Sequence, residues 1–202
     1  MAARPAADRH TPRTERATPL PGDGLVVGAQ VVVTRATTVD APPAAVWPWL
    51  VQLGWHRAGW YTARWVDRLL FPANRPSAEA IMPEYQHLAV GDFIPDGPPE
   101  TGCGFVVAAM APDRHLVLHS TTHLPRRWRD GGVAAVDWTW SFNLLPAAPN
   151  RTRLVFRWRA HCEPWWLVAA AWAMVVPADT LMSRSMLRGV RSRVERARPW
   201  ND

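Results

Sequence analysis

Apolar and polar residues alternate along the segment Val136-Asp137-Trp138-Thr139-Trp140-Ser141-Phe142-Asn143-Leu144. Successive side chains of a β-strand point to opposite faces, so this pattern predicts a strand over residues 133–145. The alternation repeats over residues 151–161, after a turn at 146–150. Two such strands predict an antiparallel sheet with one buried face and one solvated face.

The rest of the chain predicts more strands and three helices around this pair. Residues 26–38 are rich in Val and Thr and predict a strand. Asp40 and the prolines after it predict the start of a helix, and a second short helix is expected over 62–70. Residues 103–121 predict a hairpin. The last helix is amphipathic, and its apolar arc holds Met182, Met186, Val190, Val194 and Ala197.

Several short stretches stand out beside this order of elements: Ala41-Pro42-Pro43-Ala44-Ala45-Val46-Trp47-Pro48-Trp49-Leu50, Gly59-Trp60-Tyr61, Met82-Pro83-Glu84, Val90-Gly91-Asp92, Thr152-Arg153-Leu154-Val155 and Met186-Leu187-Arg188-Gly189-Val190. Together with the order of elements, they resemble a bacterial branch of the START / polyketide cyclase / Bet v 1-like superfamily (SRPBCC), over roughly Gln30 to Arg196. The resemblance implies the helix-grip fold, an α+β fold in which a curved antiparallel sheet wraps around a long C-terminal helix, with two short helices after the first strand.

The first residues differ from this domain in composition. Residues 1–24 are rich in Pro, Gly and Arg and show no periodicity, so we expect a disordered Pro/Arg-rich tail over 1–24 and a single domain over 25–198.

Members of this superfamily bind apolar small molecules between helix and sheet, as carriers or as enzymes. No catalytic residue is shared by all of them, so the resemblance assigns none here. One departure is the apolar, Trp-rich insertion over residues 165–177, which precedes the last helix. Pro177 is expected to break or kink the helix there.

Composition excludes several function classes. The 202 residues include 23 Arg and no Lys, which excludes a catalytic lysine or a phosphate-binding P-loop lysine. Two cysteines, Cys103 and Cys162, form neither a disulfide framework nor a four-cysteine zinc site. The net charge of +6 is compatible with nucleic-acid binding. However, the arginines and aromatics of strand 151–159 fall on opposite faces, so we expect no nucleic-acid partner.

The unusual feature is 13 Trp residues against 2 Tyr and 5 Phe. Inward-facing indoles would line a cavity for an aromatic, polyene or cationic ligand, or they would simply fill the core. The hypothesis of a Trp-rich cavity names these ligand-binding residues: Trp60, Tyr61, Trp65, Trp138, Trp140, Phe142, Phe156, Trp158 and Met186.

Candidate catalytic groups are weak. His115 and His119 share a strand face, but no zinc motif includes them, even with His123 or Cys103 as a third ligand. Asp137 lies on the face expected to be solvated. Tyr61 is a candidate cavity hydroxyl. The catalytic residues therefore stay unknown, and we expect no metal and no cofactor.

Three functions remain open. The first is a carrier or sensor for a hydrophobic small molecule (a lipid, polyketide or aromatic compound), and the second is a polyketide cyclase or aromatase-like enzyme in the same cavity. The third is weak membrane-surface contact through the apolar run from Trp165 to Val176 and the Arg-rich C-terminal helix. That run has twelve residues, whereas a membrane span needs roughly 20. With no visible secretory signal, we expect a cytoplasmic protein of unknown oligomeric state.

Overall fold

The computed structural model describes residues 12–70 and 72–197, and its centre is one antiparallel six-stranded sheet. In spatial order the strands are β1 (Val31–Val39), β6 (Arg151–Glu163), β5 (Ala135–Ala148), β4 (His115–Ser120), β3 (Gly104–Ala111) and β2 (Phe93–Pro95). The helices are α1 (Arg13–Ala17), α2 (Pro43–Val51), α3 (Arg64–Leu70), α4 (Arg126–Asp130), α5 (Trp165–Ala170) and α6 (Val176–Arg196), and a π-helical turn (Ala171–Val175) joins the last two.

The register of the two long strands confirms the alternation in the sequence. Trp140 pairs with Trp158 and Phe142 pairs with Phe156, so the apolar positions of both strands share one face. Helix α6 lies across that face and buries Met182, Met186, Val190 and Val194. A curved antiparallel sheet that holds a long C-terminal helix, with two short helices after β1, is the predicted helix-grip arrangement.

The opposite face of the sheet differs from the prediction. Thr139, Ser141 and Asn143, expected in solvent, are buried. Residues before β1 lie over them, with Leu20 and Val26 buried and the Ser141 hydroxyl donating a 2.7 Å hydrogen bond to the Pro21 carbonyl. The prediction of a solvated face was wrong here, because alternation reports two chemically different faces and not which of them meets water.

The segment that covers this face includes residues for which the sequence predicts a disordered tail. Residues 1–11 lie outside the described residues. Residues 12–24 form α1 and a series of turns. Arg157 holds them in place, because its buried guanidinium donates to the carbonyls of Glu15, Arg16 and Thr18 and to the Asp23 carboxylate. Hydrogen bonds from Arg157 of β6 hold residues 12–24 in place, although their sequence shows no apolar periodicity.

Two local predictions about prolines and caps were also wrong. Pro177 does not break the last helix, because α5, the π turn and α6 run on without interruption and the turn immediately before the proline is widened to a π-helix. Asp40 does not cap α2, because its carboxylate accepts a hydrogen bond from Arg151 instead.

Candidate functional site

Aromatic rings fill the middle of the space between the sheet and α6. Trp60 meets Trp140 with ring centroids 5.2 Å apart, and Phe142 meets Phe156 at 5.0 Å. Edge-to-face and tilted contacts at these distances are typical of a packed core. In the described structure these rings pack on one another, which agrees with the core-filling alternative for this group.

The structure separates the other predicted ligand-binding residues. Met186, on the inner side of α6, is buried in the same core as these rings. Trp65 lies on α3 with 59% of its surface exposed. Trp158 lies directly opposite Trp140 on β6, and Trp138 lies two positions before Trp140 on β5, with the Trp138 and Trp158 ring centroids 5.5 Å apart. A direct role of these side chains in ligand binding stays a prediction.

Tyr61 is buried, and its hydroxyl has two protein partners. The hydroxyl donates to the Trp49 carbonyl at 3.0 Å and accepts from the Gln52 amide at 2.7 Å. Burial raises the pKa of this phenol above its ordinary value, more than the Gln52 hydrogen bond and the nearby arginines lower it. The neutral Tyr61 phenol thus uses its hydroxyl in two hydrogen bonds within the protein, which connect the loop that contains Tyr61 to the C-terminal end of α2.

An apolar pocket of about 120 Å³ opens where the sheet meets the α5–α6 junction. Its floor is formed by side chains of β5 and β6, its roof by α5 and the π turn, and one wall by the loop after β4. The lining residues are His123, Leu124, Val136, Trp138, Trp158, Ala160, Cys162, Leu167, Ala170, Ala171, Met174 and Val175. Nearly all of this surface is hydrocarbon or aromatic ring, which suits an apolar occupant.

His123 is the one imidazole in this lining. Its Nε2 lies 2.9 Å from Asp96 Oδ2 and its Nδ1 lies 2.7 Å from the Ser120 hydroxyl. Burial lowers the pKa of His123, but the interactions with Asp96 and Cys103 outweigh burial and raise it to about 9. The ring is therefore an imidazolium at neutral pH. It donates its Nε2–H to the Asp96 carboxylate and its Nδ1–H to the Ser120 hydroxyl.

Two aromatic rings lie beside this imidazolium. Phe105 lies 4.5 Å and Trp138 lies 4.7 Å from the His123 ring, measured between centroids. Aromatic faces stabilise a cation electrostatically. His123 thus offers the pocket a fixed positive charge, whereas its two N–H groups are engaged elsewhere, an arrangement suited to binding rather than to general-base catalysis.

A second buried charge lies near the pocket, under α6. The Arg35 guanidinium donates to Ser183 and Thr180 at 2.6 and 2.7 Å and lies 3.6 Å from Asp179 Oδ2. Burial raises the pKa of Asp179 to about 6, against the lowering effects of the Trp158 indole and the Arg35 charge. This cluster fixes α6 to β1.

The other candidate groups lie apart from the pocket. His119 and Asp137 form a 2.5 Å contact on the outer face of the sheet. Across residues 12–70 and 72–197, no group of three or more His, Cys, Asp and Glu side chains is arranged to hold a metal ion. The sequence did not single out His123, Leu124 or Asp96 for this pocket, because the pairing of Asp96 with His123 spans 27 positions and has no motif.

The last helix exceeds the apolar length expected from the sequence. Because α5, the π turn and α6 form one continuous helix, Trp165–Arg196 contains a window of mean hydropathy 1.4, which reaches the length and composition of a membrane span. One third of that window, 33%, is buried in the protein. The helix continues beyond the twelve-residue apolar run, through Pro177, where the sequence predicted a break or kink.

No family model matches the sequence, and no curated protein matches it. Solved structures with a similar chain path include norcoclaurine synthase from Thalictrum flavum, in complex with dopamine and hydroxybenzaldehyde (TM-score 0.48, 11% identity, 83% of this chain and 88% of that one). Others are a protein from Chromobacterium violaceum (0.46, 14%, 81% and 97%) and an aromatase/cyclase from Streptomyces sp. R1128 (0.40, 14%, 82% and 93%).

The fold follows from the strand order, the inward aromatic register and the C-terminal helix described above. On this evidence the chain has a helix-grip fold, the fold that the resemblance of its sequence to the START/Bet v 1-like superfamily implied.

Proposed function

We propose that the protein binds a small hydrophobic molecule in the pocket beneath α5, as a carrier or sensor. The observation that carries the proposal is the lining itself, an apolar pocket between two Trp rings and a helical roof. A hydrophobic occupant gains by leaving water there, and the His123 imidazolium favours a π-rich or anionic group at one wall.

The size of the pocket limits the ligand. An apolar cavity of about 150 Å³ holds a benzene molecule. The volume of about 120 Å³ therefore suits a single small ring or the end of a hydrocarbon chain. A whole lipid or a polyketide would need α5 to move outward, so the pocket would hold only one end of such a ligand.

The cyclase or aromatase-like alternative needs a polar group that acts on the bound molecule. His123 is the candidate, since it reaches both this pocket and a neighbouring open groove of about 540 Å³ that includes Asp96 and Cys103. As an imidazolium it is a potential proton donor, once a bound molecule displaces Ser120 or Asp96. The enzyme remains the second candidate function, because both N–H groups of His123 already donate to protein partners.

The first experiment is native mass spectrometry of gently purified protein, followed by solvent extraction and identification of any released compound. A stoichiometric apolar compound supports the carrier proposal, whereas a compound that is chemically altered relative to a supplied precursor supports the enzyme. The pocket is tested separately with toluene, by following the indole NMR signals of Trp138 and Trp158.

A matched pair of variants locates the toluene site. Ala170→Leu places extra carbon in the pocket and should abolish the toluene-induced shifts, whereas Ala173→Leu adds the same group on the exposed side of the helix and should leave them unchanged. Toluene shifts that persist in Ala170→Leu, or that are missing in the unaltered protein, would reject the proposed pocket.

A further inference from the structure

The helix above the pocket exposes several apolar side chains. Trp165 is 80% exposed, and Ala169 and Ala173 are exposed on the same segment. Met174, 66% exposed, and Val175 are exposed at the edge of the pocket that they also line. Large exposed apolar surface is typical of interaction sites. An exposed Trp at the start of the segment is typical of residues that sit at a membrane–water boundary.

A basic helix lies directly beside this apolar face. Trp128 of α4 packs edge-on against Trp166 of α5, with ring centroids 5.5 Å apart. Helix α4 has the sequence Arg126-Arg127-Trp128-Arg129-Asp130, and the first two arginines are exposed. Arg126 and Arg127 of this helix are exposed near the apolar face, whereas Arg129 is half-buried and donates to the Thr101 carbonyl. The exposed carboxylates of this region are those of Glu100, Asp130 and Glu163, and Glu100 lines the same groove as Arg126.

Several arginines of the C-terminal helix, by contrast, have acidic partners within the protein. Arg191 pairs with Glu195 at 2.9 Å, while Arg193 and Arg196 both pair with Glu79, at 2.6 and 2.8 Å. Arg184 and Arg188 of the same helix are exposed and line a groove that also includes Trp65 of α3. Helix α4 is the basic element that packs directly on α5, through Trp128 and Trp166.

We propose that the face formed by α4, α5 and the π turn docks on a membrane surface that contains anionic lipids. The arginines of α4 would lie at the level of the headgroups, and Trp165 and Met174 would insert among the upper acyl carbons. A membrane surface has a charged headgroup layer over a hydrocarbon layer. The arginines would contact the first layer and the exposed apolar side chains the second.

Docking in this orientation places the pocket at the bilayer. Helix α5 and the π turn form both the outer face and the roof of the pocket, so movement of this segment on the membrane opens a route between pocket and lipid. This route between pocket and lipid rests on the proposed ligand binding, whereas membrane docking itself does not. Toluene binding is measured in solution without vesicles, so a failure of the pocket and a failure of docking are distinguishable.

The test is co-sedimentation of the full chain with vesicles of phosphatidylcholine alone and of an equal mixture of phosphatidylcholine and phosphatidylglycerol. We expect binding to the mixed vesicles that weakens with added salt. Arg127→Glu should weaken it by at least about fivefold, because an arginine near an anionic surface contributes on the order of 1 kcal/mol. Arg114→Glu makes the same charge change in the β3–β4 hairpin and should have little effect.

The apolar part has its own matched pair. Trp165→Ala should reduce vesicle binding roughly tenfold through loss of buried indole surface, whereas Trp65→Ala, also an exposed Trp, should not. Equal effects of the members of either pair, or absence of binding to both vesicles, would overturn the proposal. So would a dimer in solution that Trp165→Ala dissociates, because this face would then belong to a second copy of the chain.

Discussion

The surroundings of the His123 side chain shift its pKa, so that its charge depends on pH above the neutral range. Interactions with Asp96 and Cys103 overcome burial and raise the pKa of this imidazole from 6.5 to about 9. A histidine whose pKa is higher in the folded than in the unfolded state stabilises the fold fully below the unfolded value. That contribution is lost as the pH rises through the folded value.

We predict that the free energy of unfolding changes with pH through His123. Between pH 6.5 and about 9 the unaltered protein should lose about 3 kcal/mol relative to a His123→Gln variant. Urea unfolding followed by Trp fluorescence at both ends of this range measures the difference. His119→Gln, on the half-exposed outer face, is the control and should keep the full pH dependence. Parallel pH profiles for all three proteins would contradict the assignment.

At the scale of elements, the position of α6 depends on contacts far apart in the sequence. Gly189 of α6 faces the backbone of Tyr61, and a Cβ atom there would overlap the Tyr61 carbonyl oxygen. Two helical turns earlier, Arg35 of β1 meets Asp179 and Ser183. The contact of Gly189 with the Tyr61 backbone requires a residue without a side chain. The contact of α6 with β1 uses the buried ion pair between Arg35 and Asp179.

Gly189→Ala should destabilise the protein, although alanine is the better helix former by about 1 kcal/mol. The added methyl group must push α6 away from the Tyr61 loop, and overpacking of this kind costs typically 1–3 kcal/mol. Thermal unfolding measures the change. Gly24→Ala, where the new Cβ meets no atom within 4 Å, should be near neutral. A stabilised Gly189→Ala variant would show that α6 lies further from the loop.

Arg35→Met should lower the free energy of unfolding by about 3–5 kcal/mol, because Asp179 would stay buried without its counter-charge. In the double variant Arg35→Met/Asp179→Leu no charge is left unpaired, so we expect most of the loss to be recovered. Urea unfolding of the two variants beside the unaltered protein provides the comparison. A double variant less stable than Arg35→Met would mean that the pair is not what holds α6 on β1.

At the scale of the whole molecule, residues before β1 complete the outer layer. They cover Thr139, Ser141 and Asn143 and supply the acceptors for the buried Arg157 guanidinium. The sheet therefore has protein on both faces, with α6 on one side and an irregular segment on the other.

Removal of this segment should strongly destabilise the sheet. We expect a chain that starts at residue 29 to lose about 3–5 kcal/mol relative to one that starts at residue 12, since Arg157 would lose four acceptors. If the short chain fails to fold, Arg157→Met in the full chain should show the same direction. Equal unfolding midpoints for the two chains would mean that the segment contributes little.

The sequence by itself determined the strands, the amphipathic helix and the helix-grip order, because side-chain periodicity is a local property set by backbone geometry. It therefore predicted which positions of residues 133–145 and 151–161 share a face. It did not predict the cover over the polar face, since that depends on Arg157 reaching carbonyls well over a hundred positions away.

The candidate site was predicted in part. Trp138 and Trp158 were expected at a cavity and line the pocket, whereas Trp140 and Phe156 pack into the core and Trp65 lies on the surface. Periodicity assigns a face but not a position along the groove, so it cannot separate rings that fill space from rings that border it. Only the tertiary structure decided this, by carrying the helix through Pro177 to roof one end of the sheet and by bringing His123 to Asp96.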